Sequence, residues 1–211
     1  MQEVLRLAWR VSPLELPRIW LHCGCCAGRR PFICSEKFRI NAQKKRLDAW
    51  LIYRCAGCDQ TWNYPIFERR AVADLEPAYL DAMMRHAAPV ARRYASDLAG
   101  LRRYSGRIDV GQEIAVHKQV TAASSRRPVR IEIAIELVGP CGLRLDRFLA
   151  AQLGVGRNVI RSLCEQSLLI LSPLGPRALR QPLRHGQRIE IELGATELEP
   201  SIVQAILGAL A

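Results

Sequence analysis

Cys23-Gly24-Cys25-Cys26 and Cys55-Ala56-Gly57-Cys58 are two Cys-x-x-Cys pairs separated by residues 27–54. A pair at this spacing wraps a tight turn around one side of a metal ion. Gly57, Ala27 and Gly28 supply the small residues such turns need. Two such turns brought together place four thiolates at the corners of a tetrahedron, the geometry Zn²⁺ takes with sulfur ligands. The spacer exceeds the usual ~15–20 residues of finger modules, and it is long enough for a hairpin to run out and return between the two knuckles. The expected centre is structural Zn²⁺ held by Cys23, Cys26, Cys55 and Cys58. Cys25, adjacent to Cys26, is an alternative ligand, and Cys34 and His22 are also within chain reach. Buried apolar thiols or disulfides would be the other use of such residues, but two in-phase pairs flanking a hairpin favour metal.

The 211 residues are enough for one large domain or two or three small ones, and a hydrophobic fraction of 49% places the chain among globular proteins. No apolar run reaches the ~18 residues of a membrane span. The apolar N-terminus is interrupted by Arg6, Arg10 and Arg18 and has no signal-peptide core. A cytoplasmic, membrane-free protein with reduced thiols is expected. Its net charge of +11 is concentrated in residues 1–65, with 11 basic against 5 acidic, and in 141–195, with 8 against 4. An imbalance of this kind, carried mainly by Arg, points to a polyanionic partner, foremost nucleic acid.

Taken in order, residues 4–11 alternate as a half-buried strand, with Leu5, Leu7, Trp9 and Val11 inward. Arg18–His22 is a short strand feeding the first knuckle. Phe38–Ala42 and Leu47–Arg54 are strands joined by the polar turn Gln43–Arg46, the second apolar on both faces and so expected to be central. Trp62 should pack over the ribbon. From Pro65 the pattern turns helical. A short helix is expected over Ile66–Ala73, one from Asp74 as N-cap to His86, and one from Pro89 to Ser105-Gly106. Strands follow at Ile108–His117 and Val129–Val138, with a linker at Thr121–Pro128 between them.

Residues 143–193 combine two amphipathic helices with strands at Leu168–Leu171 and Arg188–Leu193. The run Arg144-Leu145-Asp146-Arg147-Phe148-Leu149, the helix start Gly156-Arg157-Asn158, and the closing Leu183-Arg184-His185-Gly186-Gln187-Arg188-Ile189-Glu190-Ile191 resemble the S-four-type RNA-binding domain. Ser167, Ser172-Pro173 and Gln187 stand where that family has Gly, Asn-Gly and Asp. The resemblance implies that Arg144, Arg147, Arg157 and Arg161 present a basic helical face to an RNA backbone, extended by Arg177, Arg180 and Arg184. Such contacts read shape and phosphate spacing more than sequence.

The front half carries Phe38-Arg39-Ile40-Asn41-Ala42, Leu47-Asp48-Ala49-Trp50-Leu51-Ile52-Tyr53-Arg54-Cys55 and Cys58-Asp59-Gln60-Thr61-Trp62-Asn63. These runs resemble a bacterial family named domain of unknown function 1062, which implies no activity. The expected fold class is α+β: an N-terminal zinc-ribbon-like antiparallel sheet (1–65), a helical middle with returning strands (66–138), a small S-four-type αββ module (139–195) and a C-terminal helix (196–211). The expected function is non-catalytic binding of ribosomal or transfer RNA, or of ribosomal particles. The basic hairpin Arg39, Lys44, Lys45 and Arg46 is a second contact surface. A zinc-ribbon adaptor for proteins or a DNA-binding regulator is the alternative. An RNA-modifying enzyme is less expected, because no Ser/His/Asp set, phosphate-cradling Gly loop or usefully spaced carboxylate pair is present, and His22, His86, His117 and His185 are scattered.

Overall fold

The computed structural model describes residues 4–123, 128–173, 177–193 and 199–207. The protein is α+β and divides into two compact units, Glu15–Val110 and the combination of Met1–Leu14 with Gly111–Ala211. The first unit is therefore inserted in sequence within the second. Among the described residues, no helix is long and apolar enough to cross a membrane.

The chain opens on β1 (Val4–Pro13), whose Leu5, Leu7, Trp9 and Val11 are buried in strict alternation. The inserted unit follows with β2 (Arg18–Cys23), β3 (Gly28–Gln43), β4 (Arg46–Cys55) and β5 (Thr61–Ala71), paired antiparallel in sequence order. Three short helices come next: α1 (Pro77–Met84), α2 (Ala88–Ala95) and α3 (Leu98–Arg102). A two-residue strand, β6 (Ile108–Asp109), then pairs with β2 and gives the sheet order β5-β4-β3-β2-β6. The core of this unit joins Ile19, Phe32, Phe38, Ala49, Leu51 and Tyr53 from the sheet to Met83, Ala91, Ala95 and Leu101 from the helices.

Several expectations for this unit are corrected. Residues 66–71 are strand, not helix, because β5 continues along β4 as far as the pair Arg46↔Ala71. Pro65 is tolerated there because β5 is an edge strand and needs no outward N–H. The strand β4 is covered on one face only: Leu47, Ala49, Leu51 and Tyr53 are buried while Trp50 and Ile52 are half-buried and Arg54 is exposed. The helix expected from Asp74 begins instead at Pro77, after a single 3₁₀ turn at Val72–Asp74. The helix beginning at Ala88-Pro89 stops at Ser96, and Asp97 starts the next by accepting the Gly100 N–H at 3.0 Å.

Gly100 sits where a Cβ would overlap both the Tyr64 hydroxyl and the Asp97 carboxylate. Helix propensity alone would credit Gly→Ala with up to about 1 kcal/mol, while overpacking against a buried tyrosine costs about 1–3 kcal/mol. Gly100→Ala should therefore lower stability by about 1–2 kcal/mol. A thermal melt followed by circular dichroism checks this, and a raised Tm would show that the site relaxes.

The remaining unit is built from β7 (Ile114–Ala122), β8 (Arg130–Leu137), α4 (Leu145–Leu153), α5 (Arg157–Glu165), β9 (Leu169–Ser172), β10 (Arg188–Glu192) and α6 (Glu199–Leu207). With β1 these strands form a sheet in the order β7-β1-β8-β10-β9. Within it β1 and β8 run parallel, pairing Leu5↔Ile131, Leu7↔Ile133 and Trp9↔Ile135, and the other pairs are antiparallel. One face is covered by Leu145, Phe148, Leu149, Leu153, Ile160 and Leu163 of α4 and α5. Trp9 is fully buried with its ring edge-on to Phe148, centroids 5.8 Å apart. The Lys118 ammonium lies 4.7 Å from the Trp9 ring and donates to the carbonyls of Gln152 and Ala205, near the C-terminal ends of α4 and α6.

The expected boundaries at 65 and 138 do not coincide with these units. The first strand belongs with β7 and β8, so residues 1–65 are not one module. Residues 139–195 are not self-contained either, since their helices pack on a sheet that β1 and β8 complete. The strand expected over Ile108–His117 is divided into β6 and β7, one in each unit. Residues 124–127 of the expected linker, and 196–198 and 208–211 of the expected C-terminal helix, lie outside the described residues.

Candidate metal centre and basic helix face

The β2–β3 and β4–β5 connections form two similar turns at one end of the inserted sheet. Cys23 ends β2 and Cys55 ends β4, and each is followed three residues later by the second cysteine of its pair. The residue after each second cysteine, Ala27 at φ 49° and Asp59 at φ 61°, takes the left-handed conformation that folds the turn back on itself. Asp59 N–H then closes onto the Cys55 carbonyl at 3.0 Å, and Cys55 N–H onto that of Gln60 at 2.9 Å. Gly57 is favoured by proximity, because a Cβ there would stand 3.2 Å from Cys26 Sγ, a tight contact that the sulfur would have to yield to by a few tenths of an ångström.

The four sulfurs of Cys23, Cys26, Cys55 and Cys58 lie within 4.8 Å of one another, so this cluster can hold a metal ion. Cys23 Sγ and Cys58 Sγ are 3.4 Å apart, and Cys26 Sγ and Cys55 Sγ 3.9 Å. A tetrahedral thiolate centre with metal–sulfur bonds of about 2.3 Å places its sulfurs about 3.8 Å apart, so the donor set fits. Of the alternatives, Cys25 is exposed and joins the turn through its backbone, donating N–H to Gln60 Oε1 at 3.3 Å. Cys34 is buried in the hydrophobic core, accepting the Glu36 N–H at 3.3 Å, and burial pushes its thiol up to about 11. Neither Cys25, Cys34 nor His22 belongs to the cluster.

The electrostatics favour a cation. Hydrogen bonding to Cys58, followed by burial, pushes Cys26 up to about 12, and burial raises Cys23. For Cys55 burial also acts upward, but N–H groups of Gly57 and Cys58 and the thiols of Cys23 and Cys58 together bring it down to about 7. Protons thus hold together four sulfurs that cannot all ionise at this spacing unless a metal ion replaces them. Gln60 was not evident from sequence: its Oε1 lies 3.1 Å from Cys23 Sγ, linking the two turns. Its only sequence signal is its position two residues beyond Cys58. Trp62 packs as expected, its ring 5.4 Å from Tyr53 and 5.2 Å from Tyr104.

The basic residues of the second unit fall into distinct roles. Arg144 caps the start of α4 and is bound bidentate to Asp146, at 3.1 and 2.6 Å, so its charge is already matched. Arg147 is exposed and donates to Gln112 at 2.9 Å. Arg157 and Arg161 are exposed one turn apart on α5, whose other face buries Ile160 and Leu163. Arg180 ends a 3₁₀ turn at Ala178–Arg180, which packs through Ala178 and Leu179 against the core, and Arg184 is exposed just past the buried Leu183. Ser167 takes φ 57°, the conformation a glycine would supply at that position.

A family profile described as "Protein of unknown function (DUF1062)" matches residues 40–173, spanning the inserted unit from Ile40 onward, β7, β8, α4, α5 and β9. No curated protein and no solved structure matches the chain.

Proposed function

The chain belongs to the DUF1062 family, and because that description assigns no activity, we propose from the residues themselves a non-catalytic, zinc-containing RNA-binding protein acting on ribosomal or transfer RNA or on ribosomal particles. The observation that carries this reading is the exposed Arg157/Arg161 pair on α5, within a helix pair whose sequence resembles the S-four-type domain. Two guanidinium groups one turn apart, with the apolar side of their helix fixed in the core, hold a spacing suited to successive phosphates. Arg147, Arg177, Arg180 and Arg184 are further exposed cations on either side of α5 in sequence, and Arg144 has the lesser role of fixing the start of α4. Zinc is the ion that best suits four thiolates. In a closed four-sulfur sphere it has no position for a water, so its role is structural rather than catalytic.

The test is a salt titration of affinity for a fluorescently labelled ribosomal RNA hairpin, read by anisotropy, with DNA of matched length as competitor. Arg157→Glu with Arg161→Glu should lower affinity by tenfold or more at low salt and reduce the salt slope by about two, while leaving the melting curve unchanged. Unchanged affinity in a folded variant removes the α5 face from the proposal. Loss of RNA binding to competitor DNA would favour a DNA-binding regulator.

A further inference from the structure

At the opposite end of β4 from Cys55, about 30 Å along the strand, the hairpin turn and the neighbouring edge strand form a second feature. Gln43, Lys44, Lys45, Arg46, Asp48 and Arg69 line one depression. Lys44, Lys45, Arg46 and Arg69 are exposed, and among the described residues none of them forms a salt bridge.

This convergence depends on an irregularity in the sheet. The β4–β5 register passes from Leu47↔Arg70 to Ala49↔Phe67, two steps on one strand against three on the other. The extra residue makes a bulge, and bulges re-aim side chains at sheet edges. Arg69 sits in it at φ 51°, a conformation an arginine adopts only when its surroundings hold it there. Asp48 Oδ1 accepts the Arg69 N–H at 2.6 Å, and the Arg46 guanidinium donates to the Arg69 carbonyl at 2.9 Å. The turn is tied to the end of β5 as well, through Val72 N–H on the Lys45 carbonyl at 3.0 Å. The one carboxylate in the depression is thus engaged with backbone, and among the described residues it forms no salt bridge with any of the four cations.

We infer that this depression is a phosphoryl-group seat, filled by a backbone phosphate of the bound RNA. The inference rests on the RNA-binding reading for its ligand's source, but the seat itself rests on the bulge. Phosphate oxygens accept from ammonium and guanidinium groups together, and the Gln43 amide adds a neutral donor. The seat would give the inserted unit its own grip on the RNA, separate from α5.

Asp48 allows a test in which geometry and net charge predict opposite signs. Affinity for the labelled RNA hairpin is measured for the full-length zinc-loaded protein and for three variants of confirmed fold. Lys45→Ala with Arg69→Ala should lose tenfold or more and reduce the salt slope by about two. Asp48→Ala removes a negative charge, so diffuse attraction would tighten binding; release of the bulge should instead weaken it severalfold. Asp48→Asn, which keeps an acceptor oxygen for Arg69, should bind as tightly as the parent or more so. Tighter binding by Asp48→Ala, or unchanged binding by the double variant, overturns the seat. If the parent protein binds no RNA, titration with inorganic pyrophosphate separates the two readings. Binding that is lost in the double variant keeps the seat and assigns it to a free phosphorylated ligand, and no pyrophosphate binding overturns it.

Discussion

Replacing Cys55 by Ser should abolish stoichiometric metal binding and strongly destabilise the inserted unit. Cys55 ends the interior strand β4 and is buried, and its sulfur lies 3.9 Å from Cys26 Sγ. Three thiolates and a hydroxyl cannot complete the sulfur sphere that the two turns are shaped to supply. Metal held by folded protein alone, at a thousandfold excess over its dissociation constant, contributes about 4 kcal/mol of stability. Its loss should lower the Tm of a unit this size by roughly 15 °C or more. Metal analysis of the purified variant, paired with a melting curve, decides the point. A variant retaining one equivalent of metal and the parent's transition would show that the cluster is not the site. Chelation of the parent protein should reproduce the variant's melt.

The second large effect concerns chain division. Residues 111–211 expressed without residues 1–14 should have no cooperative transition, because β1 is the strand between β7 and β8. Its loss strips Leu5, Leu7, Trp9 and Val11 from the core and leaves two internal sheet edges unpaired. Truncating the fully buried Trp9 alone should cost about 3–5 kcal/mol, a large share of the typical 5–15 kcal/mol of a domain. Residues 15–110 expressed with zinc should fold, since their core and both turns are internal to that segment. Amide NMR spectra of the two pieces give the answer. A dispersed spectrum from 111–211 alone would mean that β1 is dispensable.

Much of this was legible in the sequence where a pattern depends on near neighbours. The alternation of Leu5, Leu7, Trp9 and Val11 gave β1, the two Cys-x-x-Cys pairs gave the four-sulfur cluster, and the 143–165 stretch gave α4 and α5. The errors share a different cause. Ile66–Ala73 has a mixed pattern that alone suits a helix, but the continuous partner β4 and a bulge at Arg69 extend it as strand. The first strand was assigned to the module next to it in sequence, whereas its partners begin at Ile114 and Arg130. Periodicity reports which face of a strand is buried and is silent on the partner that buries it. The basic depression was partly legible through Lys44, Lys45 and Arg46. Arg69 was not, because the bulge that brings it there leaves no local signal.

The insertion also sets an order of events. To pair Pro13 with Ile114, the chain must close a loop of about 100 residues if everything between them is unfolded. Once the inserted unit has formed, the pair Arg18↔Asp109 has already brought the two ends of that loop together, and only a few residues on each side remain to be placed. Going from about 100 free residues to about 10 lowers the closure cost by about 2 kcal/mol. The unit with the cysteine cluster thereby acts as a clamp on the chain, and a metal ion bound at that cluster would speed the joining of β1 to a sheet in which the ion has no ligand.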